Sequence, residues 1–255
     1  MKLYYREYGQ GRPVIMLHGL FGFSDNLQTL AKGLSETCWV MTPDHRNHGR
    51  SPHTDTHSYP EMAEDVRRFM EEKGVLQAAF VGHSMGGKVA MQLALDHPEL
   101  VEKLVVVDIA PGQANDGHSA IFKALLAMDL GAIKTRSDAE AMLSGQSFAD
   151  PATLQFLLKN ITREPDGSYN WKMNLPVLWH SYANILAPVD GFPYSGPTLF
   201  VRGGRSNYIR DSDWSLIKKL FPQASVHVIQ GAGHWVHVEQ PAALLGLLRG
   251  FLAGD

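Results

Sequence analysis

Cysteine is almost missing from this chain: Cys38 is the only one among 255 residues, so neither an intramolecular disulfide nor a cysteine-based zinc site can form. Its neighbours Trp39, Val40 and Met41 read as a buried strand, and a lone buried thiol fits a reducing compartment. An excess of one charge is missing too. The 23 Lys and Arg face 26 Asp and Glu with no long run of either sign, which leaves no electrostatic footprint for nucleic acid or an anionic membrane. No apolar stretch approaches the ~20 residues that a membrane helix needs; even Leu104-Val105-Val106-Val107 is interrupted by Asp108. The opening residues, Met1-Lys2-Leu3-Tyr4-Tyr5-Arg6-Glu7, meet a charge pair before the apolar region of a secretory signal could develop. With no H-E-x-x-H motif and no cysteine cluster, no zinc is expected. The expectation is a cytoplasmic protein whose partner is a small molecule.

What is present is globular: 44% hydrophobic and 19% charged residues in a length that suits one large domain or one domain carrying an insertion. Short apolar runs at 14–17, 39–41, 78–81, 104–107, 198–201 and 226–229 alternate with helix-like segments, the signature of a mostly parallel sheet flanked by helices. Ser58-Tyr59-Pro60-Glu61 has capping-box spacing ahead of Met62, Val66, Phe69 and Met70 on one helical face. A second helix is expected from about 85 to 97, with Val89, Ala90, Leu93 and Ala94 inward and Pro98 as its stop. The alternation fails between about Pro111 and Gly196, where helix-like pieces follow one another without a strand run. There Ile121, Phe122, Leu125 and Leu126 share a face, as do Leu154, Leu157 and Leu158, with Pro151 at a helix start. The predicted organisation is a core of residues 1–111 and 196–255 with a helical cap of residues 112–195 inserted. The cleft between them is the default ligand site.

Gly82-His83-Ser84-Met85-Gly86 follows an apolar run and opens a helix, the setting that a G-x-S-x-G nucleophile elbow requires. The glycines matter because the turn is sharp, and a Cβ on either flank would crowd the serine. The same stretch, 82–88, fits G-x-x-x-x-G-K, but Val89 stands where a phosphate loop needs Ser or Thr for Mg²⁺. A serine hydroxyl needs a base. Gly233-His234-Trp235 supplies one after the run ending near Gln230, with His237 as the rival. His53, His57 and His97 read as surface residues. The third member must be a carboxylate that orients the histidine. Asp108, at the end of the 104–107 run, is favoured and Asp211 is the alternative. Ser206 stands where an acid is common and is expected to be a hydrogen-bonding accessory. His18-Gly19-Leu20-Phe21-Gly22 follows another strand; the N–H groups of Leu20 and Met85 are the expected oxyanion donors, each such donor being worth about 3–4 kcal/mol of barrier.

These segments, together with Asp44-His45-Arg46-Asn47-His48-Gly49-Arg50-Ser51 and Val107-Asp108-Ile109-Ala110-Pro111, resemble the α/β-hydrolases over the whole chain, least well in the cap. More narrowly, the set resembles the YbfF-type bacterial esterases. That resemblance implies a serine hydrolase acting on acyl esters or thioesters without a cofactor, with the triad acid after the strand that carries Asp108. It also implies that Asp44, Arg46, Asn47, His48 and Gly49 brace the oxyanion turn, with His45 a departure from the pattern. The fold class also hosts C–C bond hydrolases, a menaquinone-pathway lyase and ligand receptors on the same triad, and these stand as alternatives. Dehalogenases and epoxide hydrolases need a carboxylate at the position of Ser84. Phe122, Leu125, Met128, Leu157 and Trp179 are candidates either for the pocket wall or for the interior of the cap.

Overall fold

A computed structural model describes residues 1–148 and 150–254. Seven strands form one sheet: β1 (Tyr5–Tyr8), β2 (Arg12–Leu17), β3 (Cys38–Pro43), β4 (Ala78–His83), β5 (Val101–Val107), β8 (Thr198–Gly203) and β9 (Ala224–Ile229). Their order is β1-β3-β2-β4-β5-β8-β9. All neighbours are parallel except β1 and β3, which run antiparallel with Tyr5 opposite Pro43. The edge strand β1 gives no apolar run in the sequence because its Tyr-Arg-Glu-Tyr residues lie half in solvent. Chain order reverses around β2, whose neighbours are β3 and β4. Such a switch point splays the loops at the carboxyl ends of the strands and opens a crevice.

Strands β2, β3, β4, β5 and β8 are buried on both faces, so they read as unbroken apolar runs rather than as alternation. One face packs α1 (Gln28–Leu34) and α11 (Pro241–Ala253) against Val14, Met16, Val105 and Val201. The other packs α2 (Tyr59–Lys73), α3 (Met85–Asp96) and α9 (Trp214–Leu220) against Ile15, Leu17, Phe80 and Val106. The short helix α10 (Val236–Glu239) precedes α11. At the start of α2 the Ser58 hydroxyl donates to Glu61 Oε2 at 2.7 Å and caps no backbone N–H. The expected capping box is therefore a side-chain pair.

Between β5 and β8 lie α4 (Ser119–Leu126), α5 (Arg136–Leu143), α6 (Pro151–Leu158), α7 (Leu175–His180) and α8 (Tyr182–Leu186). They include one hairpin that the sequence reading lacks, β6 (Ile161–Arg163) paired antiparallel with β7 (Tyr169–Trp171). Its strands are three residues each and only half-buried, too short to leave a periodic signal. Leu126, expected on the buried face of α4, is exposed, while Ile121, Phe122 and Leu125 are buried. The two stems of this segment pair with each other: the Ala114 N–H donates to Leu186 O and the Val189 N–H to Pro111 O, both at 2.9 Å. Lys88 secures them from below. Its Nζ donates to Gly112 O at 2.7 Å and to Ala187 O at 2.5 Å. A lysine committed to these carbonyls is not available to a phosphate loop.

Candidate active site

Ser84 occupies the turn between β4 and α3 with φ 53° and ψ −120°, a conformation that costs a non-glycine residue roughly 1–3 kcal/mol. Neighbouring glycines make the turn possible. A Cβ on Gly82 would lie 2.3 Å from Gly86 O, and one on Gly86 2.4 Å from Leu17 O, so α3 approaches β2 as closely as backbone allows. The Ser84 N–H donates to Val107 O at 3.0 Å, which ties the turn to the end of β5.

His234 comes from the loop after β9. Gly231 takes φ +75°, and the loop reaches inward because a Cβ on Gly203 would sit 2.2 Å from Gly233 O. His234 Nε2 lies 3.1 Å from Ser84 Oγ, and Nδ1 lies 2.8 Å from Asp108 Oδ2. Asp108 is fully buried and also has φ > 0, at 56°. Its Oδ1 accepts the Gly203 N–H at 2.9 Å, and its Oδ2 also accepts the Ser206 hydroxyl. Every partner is a donor, as an acceptor-only carboxylate requires. With Nδ1–H directed at Asp108, the Nε2 lone pair is left for the serine proton. The Tyr208 ring stacks flat on His234, 3.7 Å between centroids and 17° between planes. From the other side His83 Nε2 donates to His234 O at 2.8 Å.

Asp211 lies elsewhere, bonded to Arg202 at 2.9 Å with a side chain 98% exposed. His237 packs its ring on His83 at 4.5 Å, and its Nδ1 is buried without a partner. Burial holds His237 down to about 4.

In the turn after β2 the N–H groups of Phe21 and Gly22 are used. Phe21, at φ 60°, donates to His48 Nε2 at 3.3 Å, and Gly22 donates to Gly19 O at 2.9 Å. The Leu20 N–H has no acceptor among the described residues. The Met85 N–H, first in α3, has no intrahelical acceptor either. A Cβ on Gly19 would come within 3.3 Å of the Ser84 Cβ, so the turn lies directly against the serine. Two buried histidines brace it. His18 Nδ1–H donates to Gly19 O at 2.9 Å and Nε2 accepts the His45 N–H at 3.0 Å. His48 Nδ1–H donates to Arg46 O at 3.0 Å. Each ring thus uses one donor and one acceptor, the pattern of neutral imidazole. Burial agrees, pushing His18 down to about 4 and His48 to about 3.

Around them Asp44 accepts the Ser24 N–H at 2.6 Å and the Arg50 N–H at 2.9 Å. The Asp44 carboxylate lies against Gly49, where a Cβ would come within 2.2 Å of Oδ2. Arg46 pairs with Asp65 at 2.6 Å, and Asn47 takes φ 63°. His45 and His57 are also buried, with ring nitrogens lacking partners. His57 is therefore not the surface residue its polar loop suggested; the loop folds under the inserted segment, where Asn184 Nδ2 donates to His57 O at 3.3 Å.

A cavity of about 1030 Å³ contains Ser84 and His234. Its walls are Leu20, Phe21 and Trp235 from the core and Ile121, Phe148, Phe156 and Leu157 from the inserted segment. Of the five pocket candidates read from sequence, Leu157 alone is on this wall. Phe122 and Leu125 are fully buried inside the segment, Trp179 stacks near Phe122 and Tyr182, and Met128 packs partly buried against the core. His118, Tyr208 and Trp235 line the cavity without having been singled out for it. Trp235 adjoins the histidine motif and was the one that could have been found. Among the described residues no group of three or more His, Cys, Asp or Glu is disposed to hold a metal ion, and no helix is long and apolar enough to cross a membrane.

Residues 12–241 match the family model of the alpha/beta hydrolase fold. The chain is 39% identical over 241 residues to the esterase YbfF of Escherichia coli, covering 94% of this chain and 92% of that protein. It is 40% identical over 248 residues to the mouse sn-1-specific diacylglycerol lipase ABHD11, covering 94% of this chain and 80% of that one. The solved structure of a marine microorganism esterase superposes with a TM-score of 0.96 at 41% identity, covering 98% of this chain and 99% of the other.

Proposed function

The chain belongs to the alpha/beta hydrolase family and is a carboxylesterase-type hydrolase, and we propose that it cleaves acyl esters through a Ser84-His234-Asp108 triad and an acyl-enzyme. The observation that carries this reading is the continuous chain of hydrogen bonds from Ser84 Oγ through His234 to Asp108, with the serine opening into the cavity.

Ser84 Oγ attacks the ester carbonyl while His234 Nε2 takes its proton, and Asp108 holds the ring in the required tautomer and stabilises its charged form. The N–H groups of Leu20 and Met85 receive the oxyanion. The intermediate collapses as His234 returns the proton to the departing alcohol, leaving the acyl group on Ser84. Water, deprotonated by the same histidine, then releases the acid. Ser206 keeps Asp108 in place. In this reading residues 112–195 act as a cap whose apolar wall, Ile121, Phe148, Phe156 and Leu157, receives the acyl chain. A thioester offers the same carbonyl and falls within the same chemistry. The chain needs no cofactor for these steps, and a lone free thiol such as Cys38 fits a cytoplasmic setting.

The test is steady-state hydrolysis of p-nitrophenyl esters from acetyl to palmitoyl, with Ser84→Ala as control. Saturable turnover lost in the variant is expected, with a chain-length optimum set by the cap. Turnover that persists in Ser84→Ala, or none with any ester, would defeat the proposal.

A further inference from the structure

Once Ser84 has attacked, the alcohol leaves with a proton delivered by His234 Nε2, so the alcohol half of the ester lies on the His234 side of the serine. Two residues that line the cavity together with His234 are Tyr208, stacked on the His234 ring, and His118. The loop that presents His118 also meets Tyr208, since a Cβ on Gly117 would lie 3.1 Å from the Tyr208 Oη.

His118 is held firmly by its backbone and left free at its ring. Its N–H donates to Tyr182 Oη at 3.0 Å and to Asp116 Oδ1 at 3.2 Å, and Tyr182 Oη in turn donates to Asp116 at 2.8 Å. The imidazole makes T-shaped contacts with Phe21 and Tyr182, with centroids 5.9 and 6.3 Å away. Both ring nitrogens of His18 and of His48 are engaged. Neither nitrogen of His118 has a hydrogen-bond partner among the described residues, and neither is a sealed, orphaned atom of the kind found in His45 and His57. They are therefore open to the cavity that His118 lines. Desolvation keeps the ring neutral, pushed down to about 4, so it offers a donor on one nitrogen and an acceptor on the other, pointing apart. A hydroxyl can accept from the one or donate to the other. A methyl group complements neither, and a carboxylate can only accept.

We infer that His118 is the specificity residue for the alcohol half of the ester, selecting alcohols that carry a free hydroxyl next to the scissile oxygen. The inference rests on the ester-hydrolysis reading of the site and adds to it the chemistry of the leaving group. It also gives the wall of the inserted segment two tasks, apolar contact with the acyl chain and a polar contact with the alcohol.

The experiment compares 2-hydroxyethyl butanoate with propyl butanoate, which differ only by hydroxyl in place of methyl, as a ratio of kcat/KM within each protein. The wild type should favour the hydroxyethyl ester about 5–10-fold, the effect of one net hydrogen bond. His118→Leu and His118→Phe should bring the ratio to about one, and His118→Gln, which keeps a donor and an acceptor, should retain several-fold preference. Because each ratio comes from a single preparation, loss of folded protein cancels. A wild-type ratio of one, or the same ratio in wild type and His118→Leu, overturns the assignment of His118 alone. Turnover of neither ester by the wild type, with p-nitrophenyl esters equally inert, overturns the hydrolase reading and this inference together.

Discussion

Asp108 and Asp211 are the residue-scale decision, and their surroundings differ in kind. Asp108 is sealed from water and bonded to His234, Ser206 and the Gly203 N–H, whereas Asp211 reaches into solvent beside Arg202. Asparagine at 108 can turn its own N–H toward Nδ1, forcing the histidine proton onto Nε2, where it blocks the serine. Asp108→Asn should therefore lower kcat by about 10³–10⁴-fold with little change in KM, and Asp211→Asn should stay within a factor of about two; comparable losses in both would reverse the assignment. Ser206→Ala, which removes one of the donors to Asp108, should reduce kcat by about tenfold, measurable with the same ester. Ser84 and Asp108 directly follow strands and His234 lies in a glycine-containing loop after one, so local pattern alone picks out the three side chains that the fold brings within hydrogen-bond distance of one another. His118 and Tyr208 could not be read in this way, since what brings them into the cavity with His234 is the folding of separate loops, which no spacing records. His57 misled for the same reason: its neighbours are polar, yet the loop is covered from above.

At the scale of elements, the contact between α3 and β2 positions the serine against the turn after β2, and glycine is what permits it. Gly86→Ala inserts a methyl within 2.4 Å of Leu17 O, so one of these elements has to move; a cost of about 3 kcal/mol is expected together with loss of activity. Gly74→Ala is the contrast. Gly74 caps α2 at φ +66° with open space around it, and only the left-handed backbone resists, at about 1 kcal/mol. Thermal unfolding of both variants separates them, and equal shifts would show that close packing at Gly86 is not limiting. Strands buried on both faces announced themselves as apolar runs, which is why the central sheet was legible. The edge strand β1 and the hairpin of β6 and β7 were not, because half-exposed strands of three or four residues bury too little to shape their own sequence.

For the molecule as a whole, the buried histidines make stability a function of pH. His18 and His48 protonate only at about 4 and about 3 in the folded chain, and burial also lowers His45 and His57, whereas an unfolded histidine protonates near ~6.5. Above that value their contribution is complete. As pH falls below it the unfolded chain takes up protons that the folded one refuses, and stability drops by up to about 1.4 kcal/mol per pH unit for each histidine until its folded value is reached. Urea unfolding between pH 7 and pH 4 should show this decline, and His48→Gln should make it shallower; an unchanged slope would mean that His48 is not among its sources. The order of residues along the chain carries one more consequence. Ser84 and Asp108 precede the inserted segment, while Ser206 and His234 follow it, and β8, which pairs with β5, comes only after that whole segment. During synthesis Ser84 and Asp108 therefore emerge from the ribosome long before His234, so under the proposed triad a partly made chain has no base for its serine. Under that triad, ester hydrolysis begins only once β8 and β9 have joined the sheet.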